Sequence, residues 1–272
     1  MSDKTTLVLG GTGKTGTRVT ARLEALGVQV RIGSRTAAQP RFDWDDRDTW
    51  GPVLDGVDKA YVVYAPEIAF PGAAETIADF SAAAVDAGVQ RLVLLSGRGD
   101  EVHAGGSERA VRECGAEWTI LQAAWFNQNF SESFMLEPVI HGVIELPASD
   151  VAEPFIDADD IADVAVAALT TDHHLGETYE LSGPRLLTFG DAAAEIGAAV
   201  GKEVRYVPMT FVEYAQMLRQ HGLPLAYVEM FRKVLDGRNS YLSDGVQRAL
   251  GREPRDFGDY ARKTAETGIW SG

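Results

Sequence analysis

The chain has 272 residues, 45% of them hydrophobic and 24% charged, with a formal net charge of −15. A negative field repels phosphodiester backbones and anionic lipid surfaces, so we expect neither a nucleic acid nor a membrane as partner. Cys114 is the only cysteine, which excludes an intramolecular disulfide and a multi-cysteine metal site. No leader-like or membrane-spanning apolar run stands out, and these features together predict a cytoplasmic protein.

Strand-like and helix-like segments alternate through the first half of the chain. Strands are predicted over residues 6–9, 28–32, 59–64, 91–96 and 118–121. Helices are predicted after the first strand as far as Gly27, over 73–87 and over about 107–114. This alternation is typical of βαβ units and predicts an α/β fold of Rossmann type, with a doubly wound parallel sheet.

The alternation breaks after Ala124, where residues 125–130 are aromatic and polar. Helices are predicted over 157–169 and 191–200, and a strand over 178–181. We therefore predict an NAD(P)-binding core over residues 1–124. Residues 125–272 mainly form a smaller substrate-binding lobe, with about 155–182 returning to the core.

A glycine-rich loop follows the first predicted strand. It fits G-x-G-x-x-G on Gly11, Gly13 and Gly16, and G-x-x-G-x-x-G on Gly10, Gly13 and Gly16. Glycines permit the tight turn, the approach of backbone amides to a pyrophosphate, and close helix packing. A triphosphate-binding P-loop would need glycine at position 8, where the chain has Val8. The loop therefore predicts dinucleotide binding.

The end of the second predicted strand indicates which dinucleotide binds. An NAD site usually carries an acid there to hold the ribose hydroxyl. Residues 31–35 include no acid, and Ser34 with Arg35 could hold a 2′-phosphate by charge-assisted hydrogen bonds. A solvated surface arginine is the alternative interpretation. The cofactor predicted is NADP(H) rather than NAD(H).

With these residues assembled, the chain resembles the NmrA-like atypical short-chain dehydrogenases, the group of triphenylmethane reductases and NAD(P)H quinone oxidoreductases. The resemblance covers nearly the whole chain and depends on residues 7–16, 93–96, 118–130, 154–165 and 259–262. It implies cofactor contacts from Thr12, Lys14, Thr15, Asp43, Asp45, Ala65, Pro66, Ser96 and Gln122. It also implies that residues around Gln122 to Asn127 frame the nicotinamide end and the substrate.

An aromatic population in the second half could line a pocket for a flat substrate, although core packing explains most of it equally well. The candidate substrate residues are Trp125, Phe126, Asn127, Phe155 and Phe211. The acids at Asp157, Asp159, Asp160 and Asp163 are expected to act at a helix start rather than on a metal, and no metal site is predicted.

Catalysis is where the chain departs from standard short-chain dehydrogenases. Those enzymes use Tyr-x-x-x-Lys, and this sequence contains no such pair. A hydride can still move if the acceptor delocalises the resulting charge, with binding and orientation supplying most of the catalysis. His103 is the candidate proton donor, and a surface-loop histidine is the alternative.

Two functions follow from these residues and from the resemblance. The first is an NADPH-dependent oxidoreductase that reduces a conjugated or quinone-like small molecule by direct hydride transfer. The second is a non-catalytic NADP(H)-sensing regulator that binds a protein partner. An isomerase on the same fold stays open, and the chain is expected to be a monomer or a homodimer.

Overall fold

The computed structural model describes residues 5–36, 39–99 and 104–271. Its strands are β1 (Thr5–Leu9), β2 (Gln29–Gly33), β3 (Val57–Val62), β4 (Arg91–Gly97), β5 (Glu117–Ala123), β6 (Val143–Leu146), β7 (Ala152–Glu153), β8 (Thr178–Leu181), β9 (Leu187–Thr188) and β10 (Arg205–Pro208). Its helices are α1 (Lys14–Ala25), α2 (Trp50–Leu54), α3 (Ala73–Asp86), α4 (Ala104–Glu113), α5 (Leu136–His141), α6 (Ala158–Thr170), α7 (Phe189–Val200), α8 (Phe211–Gln220), α9 (Ala226–Val234), α10 (Gly245–Leu250) and α11 (Phe257–Glu266).

The chain divides into two compact units. The first unit holds the residues up to Ala123 together with Ala158–Leu181 and Gly245–Arg252. The second unit holds Ala124–Asp157, Ser182–Asp244 and the residues from Glu253 onward. The sequence pattern did not indicate that 245–252 would join the first unit. None of the helices in the described part of the chain has the length and apolar character to cross a membrane.

A six-stranded sheet in the order β2-β1-β3-β4-β5-β8 forms the centre of the first unit, and every neighbouring pair is parallel. This arrangement confirms the predicted α/β class. Helix α1 packs against α6, and α3 packs against α4. Because α6 and α4 both contact β4 and β5, the two helix pairs cover opposite faces, as in a doubly wound fold.

The strand order reverses between β1 and β3, since β2 lies on one side of β1 and β3 on the other. Ligands of open α/β sheets bind at such a switch point, beyond the carboxyl ends of the strands. The buried core beneath it is apolar, with Leu7, Leu9, Ala60, Val62 and Leu94 all inaccessible to solvent. The loops that follow β1 and β3 are therefore the expected place for a ligand.

The second unit contains short strands and helices, and they pack around a hydrophobic core of their own. Strands β6 and β10 pair in parallel, and β7 and β9 pair antiparallel. Helix α7 packs against α11 and β10. Capping boxes start two helices, at Thr188 with Asp191 and at Thr210 with Glu213, so the first backbone amides of α7 and α8 have local partners.

Candidate functional site

The glycine turn joins β1 to α1 at the carboxyl edge of the sheet. Gly10 has a φ of 63°, a left-handed conformation that favours glycine, and its N–H donates to the Gly33 carbonyl oxygen at 3.1 Å. A Cβ on Gly16 would lie 2.1 Å from the Gly10 carbonyl oxygen, and one on Gly11 would lie 2.6 Å from Ile32 Cγ2. The turn is therefore so tight that positions 11 and 16 need glycine.

The turn leaves the start of α1 open to an anion. Thr12 and Gly13 are exposed, and no described side chain caps the helix, whose first turn contains no acid. Lys14 begins the helix, and Thr15 is buried beside it. Unpaired amides and the positive end of a helix dipole favour a phosphate group. The exposed start of α1 therefore fits the diphosphate of a dinucleotide.

The predicted 2′-phosphate residues follow β2 at the same edge. Ser34 is buried, and its carbonyl oxygen accepts a hydrogen bond from the Phe42 N–H at 2.9 Å. Arg35 is exposed and forms no ion pair with any residue that the structure describes. Its guanidinium is thus available to an anionic group at the end of β2, although the global charge of the chain is negative.

The segment predicted to lie near the adenine is tied to the loop after β3. The indole Nε1 of Trp44 donates to the Val63 carbonyl oxygen at 3.2 Å. Asp43 accepts a hydrogen bond from Arg41 Nη2 at 2.6 Å, and its carbonyl oxygen accepts one from Trp50 Nε1 at 3.0 Å. Asp45 is exposed. These bonds hold the segment beside the strand-order reversal.

Ala65 and Pro66 are exposed directly after β3. On the other side of the turn, a Cβ on Gly10 would be 3.4 Å from the Val63 Cβ. The loops after β1, β2 and β3 therefore lie together. With the first turn of α1, they contain every predicted cofactor residue except Ser96 and Gln122.

A polar row crosses the carboxyl ends of β4, β5 and β8. Ser96 is directly opposite Gln122 in the register of β4 and β5, and Gln122 is opposite Glu180 of β8. The Ser96 hydroxyl and the Gln122 Nε2 both donate to Glu108 Oε1, each at 2.8 Å. Arg112 Nη2 donates to Glu108 Oε2 at 2.9 Å. A buried carboxylate thus fixes the orientation of both predicted cofactor residues.

Glu108 is a site residue that was not predicted from the sequence. The missed signal is the spacing of Glu108 and Arg112, which places both on one face of α4. Arg98 was missed as well: it is buried, and its Nη2 is 3.4 Å from Glu180 Oε2. A buried arginine directly after a strand has no local sequence signature, because its partner on β8 is distant in the chain.

The tyrosines of the sheet are poor proton donors. Tyr61 on β3 and Tyr179 on β8 are buried, and burial raises the pKa of both hydroxyls. Tyr179 also lies 2.9 Å from His174 Nδ1. His103, the candidate donor from the sequence, lies outside the described residues. Its role stays a prediction.

The acids near the start of α6 contact arginines. Asp159 and Asp163 both accept hydrogen bonds from Arg22 at 2.6 Å, and Asp160 lies 2.7 Å from Arg252. Within the described part of the chain, no group of three or more acids, histidines or cysteines could hold a metal ion. These acids therefore link α6 to α1 and to Arg252, which follows α10, within the first unit.

The candidate substrate residues belong to the second unit. Phe126 forms an isolated bridge with Ile156, flanked by Asn127 N–H to Ile156 O and Ile156 N–H to Trp125 O, both at 2.9 Å. This pairing brings Trp125, Phe126, Asn127 and Phe155 onto two adjacent segments. Phe211 stands apart at the start of α8, under the Arg232 guanidinium at 5.0 Å, with no described ring contact to the others.

Phe155 is 1% exposed and packs its ring among Phe130, Phe189 and Phe257. Trp125 is half-buried, with its ring centre 5.2 Å from that of Phe189 and 5.4 Å from that of Phe231. Packing in the core of the second unit therefore accounts for the Phe155 ring, whereas Trp125 and Asn127 have polar atoms that packing does not explain.

Comparison with known proteins places this chain in a family. The profile of the NmrA-like family matches residues 2–262. An uncharacterised oxidoreductase, YesF of Bacillus subtilis, is 32% identical over 100% of this chain and 99% of its own length. The NAD(P)H azoreductase of Xenophilus azovorans is 31% identical over 95% and 97%. In fold, the chain is similar to the NADPH-dependent quinone oxidoreductase QOR2 of Escherichia coli in complex with NADPH, with a TM-score of 0.77, 21% identity and coverage of 95% and 99%. The family predicted from the sequence is confirmed: the chain belongs to the NmrA-like family.

Proposed function

We propose that this chain is an NADP(H)-dependent oxidoreductase that reduces a conjugated or quinone-like small molecule. The observation that carries the proposal is the open glycine turn at the strand-order reversal, which shares the sheet edge with the ordered row of Ser96 and Gln122. Two relatives support it: YesF is named as an oxidoreductase, and the protein of Xenophilus azovorans is named as an NAD(P)H azoreductase.

Binding of the dinucleotide is assigned to the first unit. The amides of the glycine turn and Lys14 would hold the diphosphate, and Arg35 with Ser34 would hold the 2′-phosphate. Asp43 and Asp45 would lie near the adenine, and Ala65 and Pro66 would border the cofactor. The absence of an acid at the end of β2 removes the usual partner of a free ribose hydroxyl and favours NADP(H) over NAD(H).

The role of Glu108 is to orient groups rather than to react. Its carboxylate accepts hydrogen bonds from Ser96, Gln122 and Arg112, so the lone pairs of Ser96 and the amide oxygen of Gln122 stay available to a bound molecule. When bound, a reduced nicotinamide supplies a hydride to the acceptor. Preorganised polar groups of this kind contribute through orientation.

The chemical class of the acceptor is inferred from the absence of a Tyr-x-x-x-Lys pair in the sequence. Without Tyr-x-x-x-Lys, the substrate itself must stabilise the charge that arrives with the hydride, as quinones and extended conjugated systems do. The acceptor takes up a hydride and one proton, and the proton comes from solvent or from His103. Trp125, Phe126, Asn127, Phe155 and Phe211 are proposed to contribute to substrate binding from the second unit.

The first test is cofactor selection. NADPH and NADH are titrated against the purified protein by the fluorescence of the reduced nicotinamide, and NADPH is expected to bind about tenfold tighter or more. Arg35→Ala should remove that difference, whereas Arg219→Ala, at an exposed arginine of α8, should leave it intact. Equal affinities in the wild type would contradict NADP(H) selection.

The second test is turnover. NADPH oxidation is followed at a fixed NADPH concentration with a panel of quinones, conjugated ketones and azo dyes. Oxidation that requires both acceptor and protein supports the reductase. Tight binding of NADPH and NADP⁺ alike, with no oxidation across the panel, would favour the NADP(H)-sensing regulator.

A further inference from the structure

The side chain of Asn127 is buried without a hydrogen-bond partner. The residue is 0% exposed, and neither Oδ1 nor Nδ2 has a partner among the described residues. Buried amides are nearly always paired, because desolvation without a hydrogen bond destabilises the fold. The Asn127 carboxamide therefore requires an explanation that lies outside the packing of the chain.

A second orphaned donor lies two residues earlier. The indole Nε1 of Trp125 is inaccessible to solvent and has no described acceptor, while the ring packs on Phe189 and Phe231. An indole N–H is a donor only, and a buried one usually finds an acceptor. Two unmatched donors on one short segment point to a shared acceptor.

The backbone places the two side chains on one side of the segment. Phe126 has an extended conformation, with φ of −75° and ψ of 134°, and forms the parallel bridge to Ile156. In extended backbone, residues i and i+2 project to the same face. The Trp125 and Asn127 side chains therefore leave the same side of this segment, which follows the end of β5 in the chain.

The neighbouring amide shows that the fold can satisfy such groups here. Gln128 is 2% exposed, and its Nε2 donates to Asp157 Oδ1 at 2.9 Å. The same stretch of chain thus contains one buried amide with a built partner and one without. Unsatisfied groups of this kind occur at functional sites, where a ligand completes them.

We infer that Trp125 Nε1 and the Asn127 carboxamide form a donor pair for a carbonyl-type oxygen of the acceptor. The inference depends on the proposed reductase function and narrows its substrate class to quinones and conjugated ketones. Cationic triarylmethane dyes and simple azo dyes present no such oxygen, so they would leave both donors unpaired. Unpaired polar groups in the site discriminate against the molecule that lacks the matching group.

The test compares three variants at adjacent positions. Asn127→Leu removes the carboxamide at similar volume, and Trp125→Phe removes the N–H but keeps an aromatic ring. Gln128→Leu is the matched control, since its amide has a partner inside the protein. Binding of 1,4-naphthoquinone in the presence of NADP⁺ is measured by equilibrium dialysis, which is independent of turnover. Turnover with naphthoquinone is measured separately.

The expected result is that Asn127→Leu and Trp125→Phe each weaken naphthoquinone binding about tenfold, the usual effect of one lost hydrogen bond, whereas Gln128→Leu leaves it within twofold. The melting temperature of Asn127→Leu should equal or exceed that of the wild type, because the carboxamide has no protein partner to lose. Gln128→Leu should lower the melting temperature.

Unchanged naphthoquinone binding in both Asn127→Leu and Trp125→Phe would overturn the inference. So would an equal loss of naphthoquinone binding in a folded Gln128→Leu protein. If the wild type binds naphthoquinone but oxidises no NADPH, the reductase function fails, while weaker binding by the two variants still supports the donor pair.

Discussion

Replacement of Gly16 by alanine tests the glycine turn most severely. The added Cβ would lie 2.1 Å from the Gly10 carbonyl oxygen and 2.8 Å from the Gly11 Cα, both of them backbone atoms. Backbone cannot rotate away as a flexible side chain can, so the turn must open by about 1 Å, a displacement that commonly costs about a hundredfold in a positioned site. We expect Gly16→Ala to weaken NADPH binding by about that factor.

The matched control is Gly51→Ala in α2, where an added Cβ meets nothing within 4 Å. It should leave NADPH binding unchanged and stabilise the helix by up to about 1 kcal/mol. Dissociation constants come from nicotinamide fluorescence, and circular dichroism confirms that each variant is folded. A folded Gly16→Ala protein that binds NADPH within threefold of the wild type would refute the assignment of this turn to the diphosphate.

Two further predictions concern ionised groups. Glu108→Gln places an amide N–H where the carboxylate accepts a hydrogen bond from Ser96, Gln122 or Arg112, so kcat should fall about tenfold with little change in NADPH affinity. Glu113→Gln, exposed on the same helix, should change neither kcat nor NADPH affinity. A normal kcat for Glu108→Gln would contradict the orienting role. Asp256 caps α11 through the Gly258 N–H at 2.8 Å and pairs with Arg185 at 2.6 Å, and Arg185 lowers the pKa of this carboxyl. Asp256→Ala should therefore lower the free energy of unfolding by about 1–2 kcal/mol at pH 7.

Because the pKa of the Asp256 carboxyl is lowered in the folded protein, its contribution to stability depends on pH in a definite direction. A carboxyl with a lowered folded pKa stabilises the protein above the ordinary aspartate value of about 3.9, and this contribution is lost as the pH falls through the folded value. The difference between wild type and Asp256→Ala, measured by urea unfolding, should thus shrink between about pH 5 and pH 3. A difference that grows in acid would contradict the assigned pairing.

Hydrophobic periodicity and the glycine loop were sufficient to predict the parallel sheet of the first unit. Element ends were less predictable, because tertiary contacts set them. The predicted strand over 59–64 ends at Val62, since the Val63 carbonyl oxygen accepts a hydrogen bond from Trp44. The helix predicted from Asp191 begins at Phe189, because Thr188 is the residue that caps it.

The start of α4 differs from the prediction. The helix predicted over about 107–114 begins at Ala104, so it includes Gly105 and Gly106. A Cβ on Gly106 would lie 3.0 Å from the Ala74 Cβ, so this glycine permits close approach of α4 to α3. Packing between helices, which local propensity does not contain, overrides the helix-breaking tendency.

The candidate site was predicted where residues are contiguous in the chain and was missed where they are not. The glycine turn, Ser34 and Arg35 follow from motifs. The role of Glu108 depends on the register that sets Ser96 opposite Gln122. The unpaired carboxamide of Asn127 could not be predicted either, because only a three-dimensional structure shows which buried groups lack partners.

The central claim is most directly tested by steady-state NADPH oxidation with 1,4-naphthoquinone, in parallel for the wild type and Gly16→Ala. We expect saturable oxidation by the wild type, a preference for NADPH over NADH, and a loss of about a hundredfold in kcat/KM for NADPH in the variant. Oxidation that proceeds equally well with NADH, or that survives Gly16→Ala unchanged in a folded protein, would contradict it.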